Sequence, residues 1–321
     1  MKGRSAPTAL KEYECGSEIS LHVFRRKHMP DRLLINVFNV DAALAVGRAK
    51  GIFAAHDLEI DVLMTPNSTD QMRGLGKGSW QIVSTAFDNV LGWSGREGAE
   101  IVAVAQAAEG ITLPVYVRPE IKTWGDLRGK PLAVDAVDTA YALVLRRVLL
   151  GHDLEMGRGD YTLIAKGTTG HRLESMMQGE TFAGVLNPPW DVKAAAAGMI
   201  RFADHREVLP EYPGGVYAVT RNWANENRDI LLKYLSAWSE ALRWCHGKKN
   251  RDEAVKLVAA AEKLEEKAAV NRLLQLPKSG QLNLTGLQSV LDLRVQFKLA
   301  PAMGRDLAKY YDETFCHYTS K

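Results

Sequence analysis

The sequence predicts an α/β protein of two lobes, each built on a mainly parallel sheet flanked by helices. One observation is the strand–helix–strand segment from Leu33 to Met64, in which an apolar strand ends at a polar turn and a small-residue helix leads to a second strand. Such a unit places its turn at the carboxyl edge of a sheet, where open α/β folds bind ligands. A second observation is that the same order of elements recurs over residues 120–210. A chain of 321 residues is long enough for two cores.

The elements follow one another in a consistent order along the chain. After the opening unit, Trp80 to Ala86 and Glu100 to Ala107 have the apolar character of buried parallel strands, and Gly214 to Thr220 reads as a strand that returns from the second lobe. The remaining residues have helical periodicity, and we expect these helices to pack outside the first lobe. The predicted organisation is an amino-terminal arm at 1–32, a first lobe at 33–118 and 212–321, and a second lobe at 119–211.

Composition excludes several classes of function. The formal charge of +3 is small and the basic residues are scattered, so no nucleic-acid partner is expected. No apolar run is long enough to cross a bilayer, and residues 1–32 contain no signal-peptide core, so the chain as written is expected in the cytoplasm. The three cysteines, Cys15, Cys245 and Cys316, lack metal-ligand spacing and are interpreted as core or surface thiols.

The candidate binding residues of the first lobe lie where predicted strands give way to helices. Some of them have a structural alternative, since Asp41 and Ser68 are also suited to cap the helices that follow. Tyr217 lies on the return strand beside the hinge and could point inward. The first-lobe candidates for contact with a ligand are Asn39, Asp41, Ser68, Thr85, Asp88, Gln106 and Tyr217.

The second lobe adds an acidic turn and several polar or aromatic residues. Asp135 and Asp138 precede a predicted helix, where they could cap it or favour an amine, an amide-rich ring or proton transfer over a strongly anionic ligand. Tyr141 could stack on a planar ligand, and Trp190 could form an aromatic wall. The second-lobe candidates are Thr139, Tyr141, Thr169, Asn187 and Trp190.

Three titratable residues would carry acid–base chemistry if the chain were an enzyme. His171 changes charge near neutral pH and could act as a general acid or base, although a surface or capping histidine is the alternative. Asp135 and Glu109 are the accompanying carboxylates. The sequence has no Gly-rich phosphate loop, no His-Glu-x-x-His and no Gly-x-Ser-x-Gly, so no cofactor and no metal are expected.

Three stretches resemble one known family in order and spacing. The segment AKGIFAAHDLEIDV, the segment TWGDLRGKPLAVD and the segment that begins GGVYAVTRNW resemble type II periplasmic binding proteins of the sulfonate, nitrate and thiamine-precursor (NMT1-like) group. The resemblance covers roughly Leu33 to Trp244. It implies the two-lobed type II periplasmic-binding-protein fold, with a two-strand hinge about which the lobes close on a ligand.

The resemblance also implies a function. The leading hypothesis is a substrate-binding protein of an ABC transporter that holds a small polar organic molecule in the interlobe cleft, with an aromatic or heterocyclic acid as one candidate. An exported precursor would place it in the periplasm with an ABC permease as partner. The alternative is a cytoplasmic enzyme on the same fold, a decarboxylase, hydrolase or ring-transforming lyase that uses His171, Asp135 or Glu109.

Overall fold

The computed structural model describes residues 29–319. Most of the predicted amino-terminal arm, including Cys15, therefore lies outside the described residues. The described chain forms two five-stranded sheets with helices packed against them, as the sequence predicts.

The first sheet contains the opening strand–helix–strand unit and the return strand. Its strand order is β2-β1-β3-β10-β4, and only β10 runs opposite to the other four. The carboxyl ends of β1, β2 and β3 therefore lie along one edge. The strands are β1 Asp31–Val37, β2 Leu58–Met64, β3 Ile82–Thr85, β4 Ile101–Gln106 and β10 Val216–Thr220.

The second sheet repeats this arrangement with different strands. Its order is β7-β6-β8-β5-β9, and β5 is the one strand that runs opposite to the rest. Each sheet thus contains one reversed strand, which the chain forms directly after it crosses from the other sheet. The strands are β5 Pro114–Val117, β6 Lys130–Val134, β7 Tyr161–Ala165, β8 Ala183–Val185 and β9 Ile200–Asp204.

Two crossing segments, residues 107–113 and 205–215, connect the sheets. They touch each other through an antiparallel bridge between Gly110 and Pro213. The Gln106 amide nitrogen donates to the carbonyls of Ala108 and Gly215, at 2.8 and 3.0 Å, and so holds the two segments together at the end of β4. This pair of segments is the two-strand hinge of the fold.

Twelve α-helices surround the sheets in the part of the chain that the structure describes. Helix α9 lies on α1 and buries Leu231, Leu235 and Trp238, the face that its 3.6-residue periodicity predicts. The helices are α1 Ala42–Ala49, α2 Ile52–Ala55, α3 Ser68–Gly76, α4 Phe87–Trp93, α5 Ala140–Gly151, α6 Thr169–Met177, α7 Trp190–Ala196, α8 Arg221–Glu226, α9 Arg228–His246, α10 Arg251–Glu262, α11 Glu266–Leu274 and α12 Leu284–Gln296.

The position of α12 corrects the expectation that all carboxyl-terminal helices pack outside the first lobe. It contacts α4, which follows the first sheet's β3, and also α5, which follows the second sheet's β6. Its side chains Leu287 and Val290 belong to a core cluster that also includes Val90 of α4 and Leu143 and Val144 of α5. The reason is geometric, since an apolar face that meets helices of both lobes buries more surface than one that meets a single lobe.

A buried histidine joins the two crossing segments. His205 is 1% exposed, and its Nδ1 accepts a hydrogen bond from the Leu113 backbone N–H at 3.3 Å. The same nitrogen lies 3.0 Å from the Asp204 carboxylate. One nitrogen cannot accept from Leu113 and donate to Asp204 at once. The neutral ring with its proton on Nε2 therefore preserves the bond between the segments, and the protonated ring, in which both nitrogens carry a hydrogen, breaks it.

We expect this histidine to make the protein less stable in acid. Burial lowers the pKa of His205, and Arg206 lowers it further against the opposing effect of Asp204. Because the unfolded chain then binds the proton more tightly, stability is fully present above the unfolded pKa, about 6.5, and is lost as the pH falls below it.

The variant His205→Asn tests this expectation by urea unfolding across that pH range. Its amide oxygen can still accept from Leu113 but does not titrate. The variant should therefore lose less stability than the wild type on acidification, and equal losses would contradict the assignment.

Candidate functional site

Residues that follow the carboxyl ends of strands in the two sheets lie close together, and we call the region between the two sheets the interlobe cleft. Asp88 follows β3 of the first sheet, and Asp135 and Asp138 follow β6 of the second. Burial raises the pKa of Asp88; Arg294 opposes that rise, and the nearby carboxylates of Asp135 and Asp138 add to it. The two lobes thus bring sequence-predicted residues within electrostatic range of one another.

Asp88 is paired with a cation from the carboxyl-terminal part of the chain. Its Oδ1 lies 2.8 Å from Nη1 of Arg294, and the two side chains are 3% and 5% exposed. Arg294 belongs to α12, and it also points toward the Asp138 carbonyl at 3.5 Å and donates to the Leu299 carbonyl. A buried carboxylate needs such a partner to remain ionised, so Asp88 presents little free charge to a ligand.

Asp135 is the half-buried carboxylate of the second lobe. The Thr139 hydroxyl donates to its Oδ1 at 2.6 Å and also contacts the Ala136 carbonyl. Burial raises the pKa of Asp135, whereas the Thr139 bond and the nearby Arg172 lower it. Because the Thr139 hydroxyl is engaged here, no side chain of the described residues caps α5.

Arg172 connects the loops that follow β7 and β8 of the second lobe. Although it lies on α6 and is only 1% exposed, its three guanidinium nitrogens donate to the Gly167 carbonyl, the Val185 carbonyl and the Thr169 hydroxyl, at 2.8, 3.1 and 2.7 Å. Thr169 in turn donates to Asn187 Oδ1 at 2.7 Å. These bonds fix the loops after β7 and β8 relative to each other. Burial lowers the pKa of Arg172, and Asp135 raises it.

Aromatic rings from the second lobe and from a crossing segment lie around these polar groups. The Arg172 guanidinium lies 5.4 Å from the centre of the Tyr141 ring. Tyr212 is buried, and burial together with Asp88, Tyr141 and Asp135 raises its pKa well above 10.0. Trp190 is half-buried and packs so closely on α6 that a Cβ at Gly170 would lie 2.8 Å from its ring.

Asp41 and Tyr217 belong to a hydrogen-bonded group of side chains in the core of the first lobe. Asp41 caps α1 by accepting from the Leu44 N–H at 2.9 Å, and it also accepts from Trp238 Nε1 at 3.1 Å and from the Tyr217 hydroxyl. Tyr217 is fully buried, with its ring edge-on to Tyr234 and Trp238. The sequence suggested that Tyr217 could point into the cleft. In the structure its side chain lies in the core of the first lobe instead, with its hydroxyl directed at Asp41.

The other first-lobe candidates also have partners within the protein. Asn39 is exposed and accepts from Arg272 of α11, while Gln106 is engaged at the hinge. Thr85 is buried and accepts from Asn89 one turn along α4. Ser68 begins α3, whose cap is the preceding residue, Asn67.

The three candidate acid–base residues are not assembled into one constellation. His171 is exposed on α6, Asp135 is bonded to Thr139, and Glu109 lies exposed in a crossing segment. Within residues 29–319, no hydrogen bond or ion pair joins any two of them. Glu109 instead lines a groove of about 530 Å³ beside the hinge, together with Arg206, Tyr212 and Gln275. That groove contains none of the other candidates.

The described residues contain no cluster of three or more His, Cys, Asp or Glu side chains placed to bind a metal. Among the same residues, every helix is too short or too polar to span a membrane.

Sequence reasoning missed three residues that the structure places at the cleft. Arg172 and Arg294 lie inside amphipathic helices, where a basic residue normally faces solvent. Tyr212 lies in a crossing segment that has no regular pattern. The one available signal was the position of Arg172 three residues after Thr169, one helical turn into α6.

Comparison with known proteins identifies the family. A model of the NMT1-like family matches residues 37–259. The chain belongs to the NMT1-like family. A comparison with curated proteins gave no match.

Solved structures with the fold of this NMT1-like protein include binding proteins and an enzyme. The alkanesulfonate-binding protein SsuA from Xanthomonas axonopodis pv. citri, bound to MOPS, is 17% identical with a TM-score of 0.70, over 88% of this chain and 99% of that one. The periplasmic nitrate-binding protein NrtA from Synechocystis PCC 6803 is 12% identical with a TM-score of 0.70, over 89% and 87%. The desulfurization enzyme DSZB is 16% identical with a TM-score of 0.64, over 89% and 98%. At these identities the likeness establishes the type II periplasmic-binding-protein fold.

Proposed function

We propose that this NMT1-like protein binds a small polar organic molecule in the interlobe cleft. The observation that carries the proposal is the meeting of the two sheets' carboxyl edges, where Asp88 of one lobe lies within electrostatic range of Asp135 and Asp138 of the other. Ligands of open α/β sheets bind at such edges. The ligand would contact both lobes and so favour their closed arrangement.

The charges of the cleft favour a neutral or weakly acidic ligand. Asp88 is neutralised by Arg294, and Asp135 is balanced by the buried Arg172 beneath it. A strongly cationic ligand would find no unpaired carboxylate among these groups except that of Asp138. The rings of Tyr141 and Trp190 offer flat apolar surface beside the polar groups, which suits an aromatic or heterocyclic molecule.

The amino terminus of α5 would receive an acidic group of the ligand. Its first N–H groups have no side-chain cap, unlike those of α1, α3 and α6, which are capped by Asp41, Asn67 and Thr168. Free N–H groups and the helix dipole favour a carboxylate at this position. An aromatic or heterocyclic acid combines this carboxylate with the flat surface that the two rings accommodate.

We further infer that the protein serves as the ligand-binding component of an ABC-type importer and acts outside the cytoplasm. Two of the solved structures described above are of binding proteins, and one of these is named as periplasmic. The alternative, a cofactor-independent lyase or hydrolase, draws on the enzyme that has the same fold. The separation of His171, Asp135 and Glu109 favours binding over catalysis.

A ligand screen with a matched pair of variants tests the binding function. Thermal shift against aromatic carboxylates, heterocyclic acids, an alkanesulfonate and nitrate should identify a ligand that raises the melting temperature. Asn187→Leu keeps the volume of a cleft side chain but removes its amide, and should weaken that ligand's affinity about tenfold. Asn225→Leu makes the same change on the exposed face of α8 and should have no effect.

The screen also separates the two candidate functions. Each hit is incubated with the protein at catalytic concentration and followed by mass spectrometry. Tight binding without product supports the binding protein. Conversion of the hit by the wild type, lost in Asp135→Asn, would overturn it in favour of the enzyme.

A further inference from the structure

Helix α12 is anchored at the hinge by its amino terminus. Asn283 caps the helix by accepting from the Gly286 N–H at 3.0 Å, and its own N–H donates to Gln106, the residue that holds both crossing segments. Gly286 lies directly against the second crossing segment, since a Cβ at this position would be 2.5 Å from the Glu211 carbonyl oxygen. The start of α12 is therefore held in direct contact with the hinge.

The other end of α12 reaches the interlobe cleft. Arg294 lies ten residues after Leu284, which places it about 15 Å along the helix axis from the hinge. There its guanidinium pairs with Asp88 of the first lobe at 2.8 Å and points toward the Asp138 carbonyl of the second lobe at 3.5 Å. One side chain thus contacts the strand ends of both sheets.

The middle of α12 packs against both lobes at the same time. Leu287, Val290 and Leu291 belong to the core cluster that includes Val90 of α4 and Val144 of α5. A helix held in this way moves as a rigid element, because packed interiors do not deform gradually. Any change in the angle between the lobes must be accommodated at one of its contacts, and the longest of these polar contacts is Arg294 with Asp138.

We propose that α12 couples the hinge to the cleft, and that Arg294 is the positioning residue that sets the distance between the lobes. It holds Asp88 in place and limits opening through its contact with the Asp138 loop. This role goes beyond ligand binding, since it concerns the ligand-free protein and stands whether or not the proposed ligand class is correct. When the lobes open, the contact with Asp138 is lost first and the buried pair with Asp88 remains.

The distance between the lobes can be measured by pulsed electron paramagnetic resonance on the ligand-free full chain. Spin labels at Thr69→Cys and Val192→Cys lie on exposed first turns of α3 and α7, on opposite sides of the cleft. Cys15 is replaced by serine. Burial raises the pKa of the Cys245 thiol to about 12 and that of Cys316 to about 11, so neither reacts rapidly with the label.

Two variants and a control decide the proposal. The double variant Asp88→Asn with Arg294→Met removes both buried charges at similar volume. Arg294→Lys keeps a positive charge near Asp88 but lacks the guanidinium Nη1, the one nitrogen that contacts both the Asp88 carboxylate and the Asp138 carbonyl. Both should shift the label distance outward and broaden it, the double variant more. Gln288→Ala on the exposed side of α12 should keep the wild-type distribution.

A purely structural role for Arg294 predicts a different result. It would lower the melting temperature and leave the distance distribution of the folded protein unchanged. If the double variant folds with the wild-type distribution, the proposal is overturned. If the double variant does not fold, Arg294→Lys decides, and a wild-type distribution in that variant overturns the proposal equally.

Discussion

The variant Asp41→Ala should lower the free energy of unfolding by about 3 kcal/mol. The substitution removes the cap of α1 and leaves the Tyr217 hydroxyl and the Trp238 indole N–H without their acceptor in the core. Loss of a cap costs about 1 kcal/mol, and a buried donor left without a partner costs about 1–3 kcal/mol. Urea unfolding monitored by tryptophan fluorescence measures the change.

Two further variants separate the contributions of Asp41. Tyr217→Phe removes one donor and leaves the cap, so it should cost about 1 kcal/mol. Asp41→Asn retains a capping oxygen and should be the mildest of the three. Burial raises the pKa of Asp41, so the wild type loses stability as the pH rises through that pKa, and Asp41→Asn should not. A loss below 1 kcal/mol in Asp41→Ala would contradict the assignment.

The variant Arg172→Met should destabilise the second lobe by about 3 kcal/mol and abolish ligand binding. Two backbone carbonyls and the Thr169 hydroxyl lose their donor; the bond to Val185 is buried, and the bonds to Gly167 and Thr169 are partly buried. Removing the buried guanidinium also relieves its own desolvation cost, which keeps the total below the sum of the three bonds. Without these bonds the loop that bears Asn187 is no longer held against α6.

The pH dependence of this variant identifies the part played by Asp135. Arg172 lowers the pKa of that half-buried carboxyl, so the loss of Arg172 raises the pKa of Asp135 further. A carboxyl whose folded pKa is raised loses stability as the pH rises, so the deficit of Arg172→Met should grow above about pH 4.

Arg172→Lys is the control for charge alone. The stability of this variant should have the same pH dependence as that of the wild type, because the positive charge beside Asp135 is kept. The hydrogen bonds should not be restored, because one ammonium group cannot reach three separated acceptors. Equal stability of the lysine variant and the wild type would show that the charge of Arg172, and not its three hydrogen bonds, stabilises the second lobe.

The order of strands and helices followed from local patterns. Apolar runs such as Ile101–Gln106 and the polar turns after them define strand ends without reference to the rest of the chain. The position of Asp41 directly before a small-residue helix likewise indicated that it could cap this helix, and in the structure Asp41 caps α1. The segment 283–296 also indicated a helix, but nothing local indicated that it would lie between the lobes.

The sequence by itself determined that this is a two-lobed α/β protein with polar residues at its strand ends, since side-chain periodicity and turn chemistry act over a few neighbours. Only the tertiary structure decided which of those residues share the cleft. Asp88 and Arg294 are 206 positions apart in the chain, and their pairing depends on how α12 crosses two sheets. Tyr217 is directed to Asp41 for the same reason, because the burial of a hydroxyl is decided by the elements that pack around it and not by its own segment.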